Sequence, residues 1–211
     1  MKYLIATQLP QSAERRCAVN LNSTNLNIPY LDALSILRNS GLHRIEVNLL
    51  GEARHLIGKV QYARETDFSN APHILNCITF IKYLYAIRGI WLPKDFLRWL
   101  EYGEGIAESE LGEEDIVFTE GLFSSRPAGN LLIGHVGLMT NRNTVIHAGY
   151  RVGAQEMPRN DFFAKYPFST ARRLVPRGTT LLTYTVPSHL EIETSDDILY
   201  LIEKKWMRNK K

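Results

Sequence analysis

The spacing of hydrophobic and polar positions changes about halfway along this chain. In the first half, apolar residues recur three or four positions apart, which predicts helices over residues 30–38, 45–59, 77–88 and 92–100. After Gly112 the pattern predicts strands over residues 115–119, 134–140, 144–148, 171–175 and 179–186. A last helix is predicted from Ser195, with two aspartates in its first turn. Helices followed by a series of strands indicate an α+β fold with an antiparallel sheet.

Composition and charge narrow the class of protein. Hydrophobic residues make up 45% of the 211 positions and charged residues 22%, which is ordinary for a globular protein with a buried core. The formal charge of +3 falls short of a nucleic-acid-binding signature, so no nucleic-acid partner is expected. No apolar run approaches the roughly 20 residues of a transmembrane helix, and the initial apolar stretch is too short for a signal peptide. We expect a protein that stays in the cytoplasm, or one exported with its signal outside this numbering.

The two cysteines, Cys17 and Cys77, are far apart in the sequence and form no close pair. No disulfide framework, metal site or cofactor is predicted, although a single disulfide between them stays open. Cys77 follows Asn76, a good N-cap, and would be the first residue of its helix. Unpaired N–H groups and the helix dipole there favour the thiolate and predict a lowered thiol pKa. The alternative is a small buried residue that begins a core helix.

Two histidines occur in a predicted β-hairpin. If residues 141–143 form a three-residue loop, Thr140 faces Thr144 and Gly137 faces His147. His135 then lies two residues from Gly137, so both imidazoles project from the same face of the hairpin. A two-residue loop would place them on opposite faces, and two unrelated histidines at a sheet edge remain the alternative. A thiol at a helix start together with paired imidazoles indicates nucleophilic thiol chemistry.

Several short motifs occur in a characteristic order between residues 50 and 150. They are Tyr62, Asn76-Cys77, Gly89-Ile90-Trp91-Leu92-Pro93, Gly112-Glu113-Glu114-Asp115-Ile116-Val117-Phe118, His135-Val136-Gly137 and Ile146-His147-Ala148. This order resembles the NlpC-type cell-wall peptidases, papain-like cysteine peptidases that cut bacterial peptidoglycan stem peptides. The resemblance implies a papain-like α+β fold, with the nucleophile helix packed on a central antiparallel β-sheet.

The resemblance also implies a role for each matching residue. Cys77 matches the nucleophile of the family, His135 its general base, and His147 the third polar residue that orients the base. Tyr62 matches a tyrosine whose hydroxyl helps to stabilise the oxyanion, and a packed aromatic beside the helix is the alternative. The chemistry agrees, because a base must lie within hydrogen-bond reach of the thiol and a third group must hold its tautomer.

The chain departs from the family's pattern beside the nucleophile. Members usually have Asp-Cys-Ser-Gly, whereas this chain has Asn76-Cys77-Ile78-Thr79. In the family the aspartate and the serine are associated with recognition of the stem peptide's free amino end. Asn76, Ile78 and Thr79 are therefore the candidate substrate-binding residues, but a neutral amide cannot form an ion pair with an ammonium group. We expect a weak preference for free-amine substrates and better turnover of substrates blocked or apolar there.

Three parts are predicted: an N-terminal extension (1–44) packed on the core, a papain-like catalytic domain (45–187), and a C-terminal helix with a basic tail (188–211). The expected activity is that of a cysteine peptidase or amidase on a peptide or muropeptide, through a Cys-His-His triad and an acyl-enzyme. One alternative is an amidase or acyltransferase with a lipid or other non-peptidoglycan substrate. Asn76-Cys77 followed by Phe80 is similar to the lecithin–retinol acyltransferase-like family, although there the histidine segment precedes the cysteine. The other alternative is a degenerate module that only binds cell wall.

Overall fold

The computed structural model describes residues 3–23 and 27–210. The α-helices are α1 (Tyr30–Asn39), α2 (Leu49–His55), α3 (Cys77–Ile87), α4 (Arg159–Lys165) and α5 (Ser195–Asn209). Short 3₁₀ helices are Leu21–Ser23, Phe68–Asn70, Phe96–Glu101 and Glu108–Glu110. The strands are β1 (Thr7–Gln8), β2 (Arg15–Val19), β3 (His43–Ile45), β4 (Gln61–Tyr62), β5 (Ile74–Leu75), β6 (Glu104–Ile106), β7 (Ile116–Thr119), β8 (Arg126–Ala128), β9 (Leu131–Ile133), β10 (His135–Met139), β11 (Thr144–Gly149), β12 (Gly153–Pro158), β13 (Phe168–Arg173) and β14 (Leu182–Val186).

The described residues divide into two compact units. The first unit takes residues from 1–47, 85–91 and 177–211, and the second comprises 48–84 and 92–176. The three parts that the sequence predicts, 1–44, 45–187 and 188–211, stay a prediction. Among the described residues, no helix combines the length and the apolar character that a membrane span needs.

The second unit is built on a six-stranded antiparallel sheet with the strand order β12-β11-β10-β7-β13-β6. Helix α4 packs on one face through Phe162, which lies in an apolar cluster with Val117, Met139 and Val145. Separate helices and a central antiparallel sheet confirm the predicted α+β class.

The hairpin between β10 and β11 has the register that the sequence predicts. Leu138 pairs with Ile146 and Met139 with Val145, so that Gly137 falls opposite His147. The N–H of Thr140 donates to the carbonyl of Thr144 at 2.9 Å, which closes a three-residue loop. Such loops commonly need one residue in the left-handed region, and Asn143 fills this position with a φ of 55°.

The first unit contains a four-stranded antiparallel sheet with the order β1-β2-β14-β3. Residues of α1 and α5 bury apolar side chains with those of β2 and β14, including Leu37, Ile198 and Tyr184. Cys17 lies in this core with no exposed surface. Helix α5 begins with a capping box in which Thr194 and Asp197 exchange hydrogen bonds. The predicted start of the last helix at Ser195 is therefore confirmed.

Two predicted helices are wrong in their bounds. The one over residues 45–59 is reduced to α2, because Asn48 Oδ1 accepts from the N–H of Gly51 at 2.8 Å and so caps the helix there. Ile45, the first residue of the predicted helix, is the last residue of β3 instead. The helix predicted over 92–100 is the 3₁₀ helix Phe96–Glu101, which begins after Asp95.

The hydrophobic pattern of the sequence also did not predict β2, β12 and α4. Strand β12 lies at the edge of the sheet and, among the described strands, pairs with β11 alone. Its residues include the polar Gln155 and Glu156, so the segment does not show an apolar strand pattern. Helix α4 has seven residues and one fully buried side chain, Phe162, which is too short a segment for a clear helical period.

Candidate active site

Asn76 determines where the helix of the candidate nucleophile begins. Its Oδ1 accepts hydrogen bonds from the N–H groups of Ile78 at 3.0 Å and Thr79 at 2.9 Å. Its Nδ2 donates to the carbonyl of Arg64 at 3.2 Å. Helix α3 therefore starts at Cys77, as predicted, and the N–H of Cys77 itself is not used by this cap.

The two hairpin histidines form one hydrogen-bonded pair. His135 Nε2 lies 2.9 Å from His147 Nδ1, and the two rings are almost perpendicular at 88°. On the far side, His147 Nε2 lies 3.3 Å from Met157 Sδ on β12. Since His135 is 7% exposed and His147 is fully buried, these contacts replace water for three of the four ring nitrogens.

Aromatic residues from α4 and its end hold the imidazoles in place. Tyr166 stacks on His135 with ring centroids 4.4 Å apart, and Phe162 lies 4.9 Å from the His147 ring. Gly137 keeps this packing open, because a Cβ there would lie 2.5 Å from Val145 Cγ1 and 3.3 Å from Phe162. Sequence reasoning assigned no role to these aromatics, although the four-residue spacing of Phe162 and Tyr166 is a helical signal.

Burial makes the resting thiol and imidazole neutral. It raises the pKa of Cys77 to about 11, against the opposing effect of the N–H groups of Val136, Ile78 and Cys77 itself. Burial, with a smaller effect of the Lys165 charge, lowers the pKa of His135 to about 4. The predicted lowering of the Cys77 pKa is therefore wrong, because loss of hydration outweighs the helix N-terminus. The thiol needs a neighbouring base to lose its proton.

Cys77 and His135 line the same cavity of about 470 Å³. Tyr62, Asn76 and Ile78 also line it, whereas His147 and Thr79 do not. Burial raises the pKa of Tyr62 to about 12, so this hydroxyl keeps its proton and can donate a hydrogen bond. The Thr79 hydroxyl instead lies at the start of α3, 3.1 Å from Asn76 Oδ1. The other lining residues were not anticipated from the sequence: Arg64, Gly121, Leu122, Phe123, Ser124, Gly134, Tyr150 and Tyr166.

The described part of the chain brings no three His, Cys, Asp or Glu side chains together in an arrangement that could hold a metal ion. The histidine pair has its own hydrogen-bond partners, and none of the described residues that line the cavity carries a carboxylate. The arrangement suits nucleophilic chemistry of a thiol, because His135 of the buried imidazole pair lines the same cavity as Cys77.

A family model described as "NlpC/P60 family" matches residues 66–172. This span contains Cys77, His135 and His147 but not Tyr62. No curated protein matches the sequence.

Three of the solved structures that this chain matches are the following. NlpC1 of Trichomonas vaginalis is 17% identical over 60% of this chain and 42% of its own, with a TM-score of 0.49. An NlpC/P60 family protein of Bacillus cereus is 19% identical over 61% and 40%, with a TM-score of 0.48. The peptidoglycan hydrolase RipB of Mycobacterium tuberculosis is 17% identical over 71% and 69%, with a TM-score of 0.46. The chain thus spans less than half the length of the first two relatives.

Proposed function

Because this chain belongs to the NlpC/P60 family, we propose that it is a cysteine peptidase or amidase that cleaves amide bonds of peptidoglycan stem peptides. Members of the family are generally cysteine hydrolases of peptidoglycan. The observation that carries the proposal for this chain is the 2.9 Å contact between His135 Nε2 and His147 Nδ1, in a pair that reaches the cavity of Cys77.

In the proposed reaction, Cys77 Sγ attacks the carbonyl carbon of the amide while His135 takes the thiol proton. Nε2 of His135 is already engaged with His147, so Nδ1 is the nitrogen left to act as the base. Proton transfer during attack is needed because the pKa of Cys77 is raised to about 11 by burial, which leaves little thiolate near pH 7.

The tetrahedral intermediate requires hydrogen-bond donors for its negative oxygen. The Cys77 N–H at the start of α3 and the Tyr62 hydroxyl are the proposed donors, since the first is not used by the Asn76 cap and the second lines the same cavity. Burial holds the pKa of Tyr62 at about 12, which keeps the donor proton in place.

Collapse of the intermediate breaks the C–N bond and leaves a thioester on Cys77. His135 gives its proton to the leaving amine, then takes one from water as that water attacks the thioester. The second tetrahedral intermediate collapses by breaking its C–S bond, and His135 returns the proton to the sulfur of Cys77. The products are an amine and a carboxylic acid, and the thiol is restored.

Mass spectrometry of peptidoglycan fragments incubated with the purified protein tests the proposal. Wild type should produce pairs of fragments whose masses sum to the parent plus one water, and Cys77→Ala should produce none. Cys17→Ala is the matched control, because Cys17 lies in the core of the first unit and outside the cavity, so its cleavage pattern should equal wild type. Equal cleavage by Cys77→Ala would disprove the nucleophile, and intact fragments with wild type would disprove the substrate.

A further inference from the structure

The charge of the candidate cavity is one-sided. Of the residues that line it, all within the described part of the chain, Arg64 is the one with a permanent charge, and none is Asp or Glu. Glu65 and Glu120 adjoin lining residues in the sequence but do not line the cavity themselves. Burial keeps the lining residue His135 neutral near pH 7 by lowering its pKa to about 4. The site therefore presents a cation to its ligand and no anion.

Arg64 and two further cations lie against aromatic rings of the same cavity. The Arg64 guanidinium is 5.9 Å from the Phe123 ring centre, and that of Arg151 is 5.1 Å from the ring of Tyr150. Lys165 Nζ lies 5.4 Å from the ring centre of Tyr166. These positions add to the positive potential around the cavity, which repels an ammonium group and attracts a carboxylate.

One edge of the cavity is formed by exposed apolar side chains. Leu122 is 49% exposed, Phe123 68% and Tyr150 48%. The rings of Phe123 and Tyr150 lie edge to face with centroids 5.6 Å apart, and Tyr150 meets Tyr62 in the same way at 5.9 Å. Single exposed apolar residues are ordinary, but a contiguous group beside a cavity marks a surface that a ligand can cover. We call Leu122, Phe123 and Tyr150 the apolar edge.

The side chain beside the nucleophile offers no acceptor to an ammonium group. Asn76 Oδ1 already accepts from two N–H groups of α3 and lies 3.1 Å from the Thr79 hydroxyl. Asn76 Nδ2 is a donor and is committed to the carbonyl of Arg64. A substrate ammonium brought here would lose water without gaining a partner, which is costly for a charged group.

We propose that this cavity takes an N-acylated peptide, with its acyl group on the apolar edge and a carboxylate of the substrate beside Arg64. The inference rests on the proposed function, because it places this substrate next to Cys77. An acyl group removes the positive charge of the amino end and supplies apolar surface for Leu122, Phe123 and Tyr150 to cover. The carboxylate gains a charge-assisted contact with Arg64 that a carboxamide cannot make.

Binding and turnover are measured separately so that the two proposals can fail separately. The probes are alanyl-glutamate p-nitroanilide with a free, an N-acetyl or an N-hexanoyl amino end, and the corresponding glutamine compounds. Calorimetry with Cys77→Ala gives their dissociation constants without cleavage, and wild type gives kcat/KM from released p-nitroaniline. The N-hexanoyl glutamate probe should bind at least about fivefold more tightly than the free-amine probe. It lacks the ammonium charge that the cavity repels, and its acyl chain covers the apolar edge.

Two substitutions in the Cys77→Ala background assign the preference to residues. Arg64→Glu should reverse the preference for glutamate over glutamine probes, because it changes the sign of the charge and leaves the backbone carbonyl that bonds Asn76. Phe123→Ser should lower the advantage of N-hexanoyl over N-acetyl by about threefold, since less apolar surface is covered. Matched controls are Arg142→Gln in the hairpin loop and Leu132→Ser, an exposed leucine outside the cavity, and both should leave the ratios unchanged.

The outcomes separate the substrate class from the reaction. Tighter binding of acylated probes, with the expected effects of both substitutions, supports the inference even if wild type cleaves none of them; in that case only the proposed hydrolysis fails. Equal or tighter binding of the free-amine probe overturns the inference, whether or not cleavage occurs. Ratios that ignore both Arg64→Glu and Phe123→Ser overturn it as well.

Discussion

The Nε2 atom of His135 lies 2.9 Å from the Nδ1 atom of His147, and both rings are buried. Burial lowers the pKa of both imidazoles, so near neutral pH one neutral ring must donate to the other. If His135 accepts the thiol proton at Nδ1, its own proton is on Nε2 and is donated to His147. His147 then carries its proton on Nε2, which faces Met157 Sδ at 3.3 Å. The proposed base thus requires one direction of hydrogen bonding through three residues.

Met157→Leu should slow the reaction, because it weakens the direction of hydrogen bonding from His135 through His147 to Met157. It removes the thioether acceptor while keeping an apolar side chain of similar volume, so we expect kcat to fall about fivefold, the worth of one net hydrogen bond, with KM unchanged. Met157→Gln, whose side-chain carbonyl accepts hydrogen bonds, should restore most of kcat. The tautomer itself is read from ¹⁵N chemical shifts of His147, which should report a protonated Nε2 in wild type and a mixture in Met157→Leu. Unchanged shifts and an unchanged kcat in Met157→Leu would remove Met157 from the mechanism.

Alanine substitutions should affect the three candidate catalytic residues unequally. Cys77→Ala and His135→Ala should each lower kcat/KM at least about 10³-fold, because nucleophile and base act as one unit. His147→Ala should cost less, by roughly one to two orders of magnitude, because water or packing can partly replace an orienting group. Steady-state kinetics on a cleaved fragment, with unfolding midpoints as the control for folding, measure this order. Near-wild-type turnover of His135→Ala would show that the base is another residue.

Activity should extend further into the acid range than an ordinary histidine base allows. Burial first, and then the Lys165 charge, lower the pKa of His135 from 6.5 to about 4, so the base keeps its lone pair down to that pH. We expect kcat/KM to stay level from pH 8 to about pH 5 and to fall below it. Lys165→Gln should move this acid limb to higher pH, because it removes one of the two causes of the lowered pKa.

The control for this pH profile is the stability of the fold. Histidines of the unfolded chain bind protons below about pH 6.5 whereas buried His135 does not, so the free energy of unfolding should decrease as the pH falls from 6.5 towards 4. Each acid point therefore requires recovery of full activity on return to pH 7. A reversible limb with its midpoint near 6.5 would contradict a buried neutral His135.

Alkylation should show that Cys77 has no preformed thiolate. Burial raises the pKa of Cys77 to about 11 and that of Cys17 to about 12, so iodoacetamide should label both slowly at pH 6.5. The rate at Cys77 should rise about tenfold per pH unit above pH 7 and exceed that at Cys17, which has no exposed surface. Labelling in denaturant, where both thiols regain ordinary values, is the control. Fast labelling of Cys77 at pH 6.5 would mean that the resting site holds an ion pair.

Local signals in the sequence were sufficient where short-range geometry decides the structure. Asn76 caps α3 so that Cys77 is its first residue, and a three-residue loop with Asn143 in the left-handed region sets the register of His135 and His147. Each feature depends on residues within a few positions of one another. The helix start, the hairpin register and the α+β class were therefore all predictable before the structure.

The tertiary structure decided what depends on neighbours distant in sequence. Tyr166, at the end of α4, stacks on His135. Met157 contacts His147 from β12, a strand that its mixture of polar residues did not predict. The pKa of Cys77 depends on how completely the fold buries its sulfur. The local sequence around the Asn76 cap does not determine this burial. The sequence by itself thus determined which groups could react and on which local elements they lie. Only the packing of those elements decided their charge, their hydrogen-bond direction and the surface beside them, because burial is a property of the whole fold.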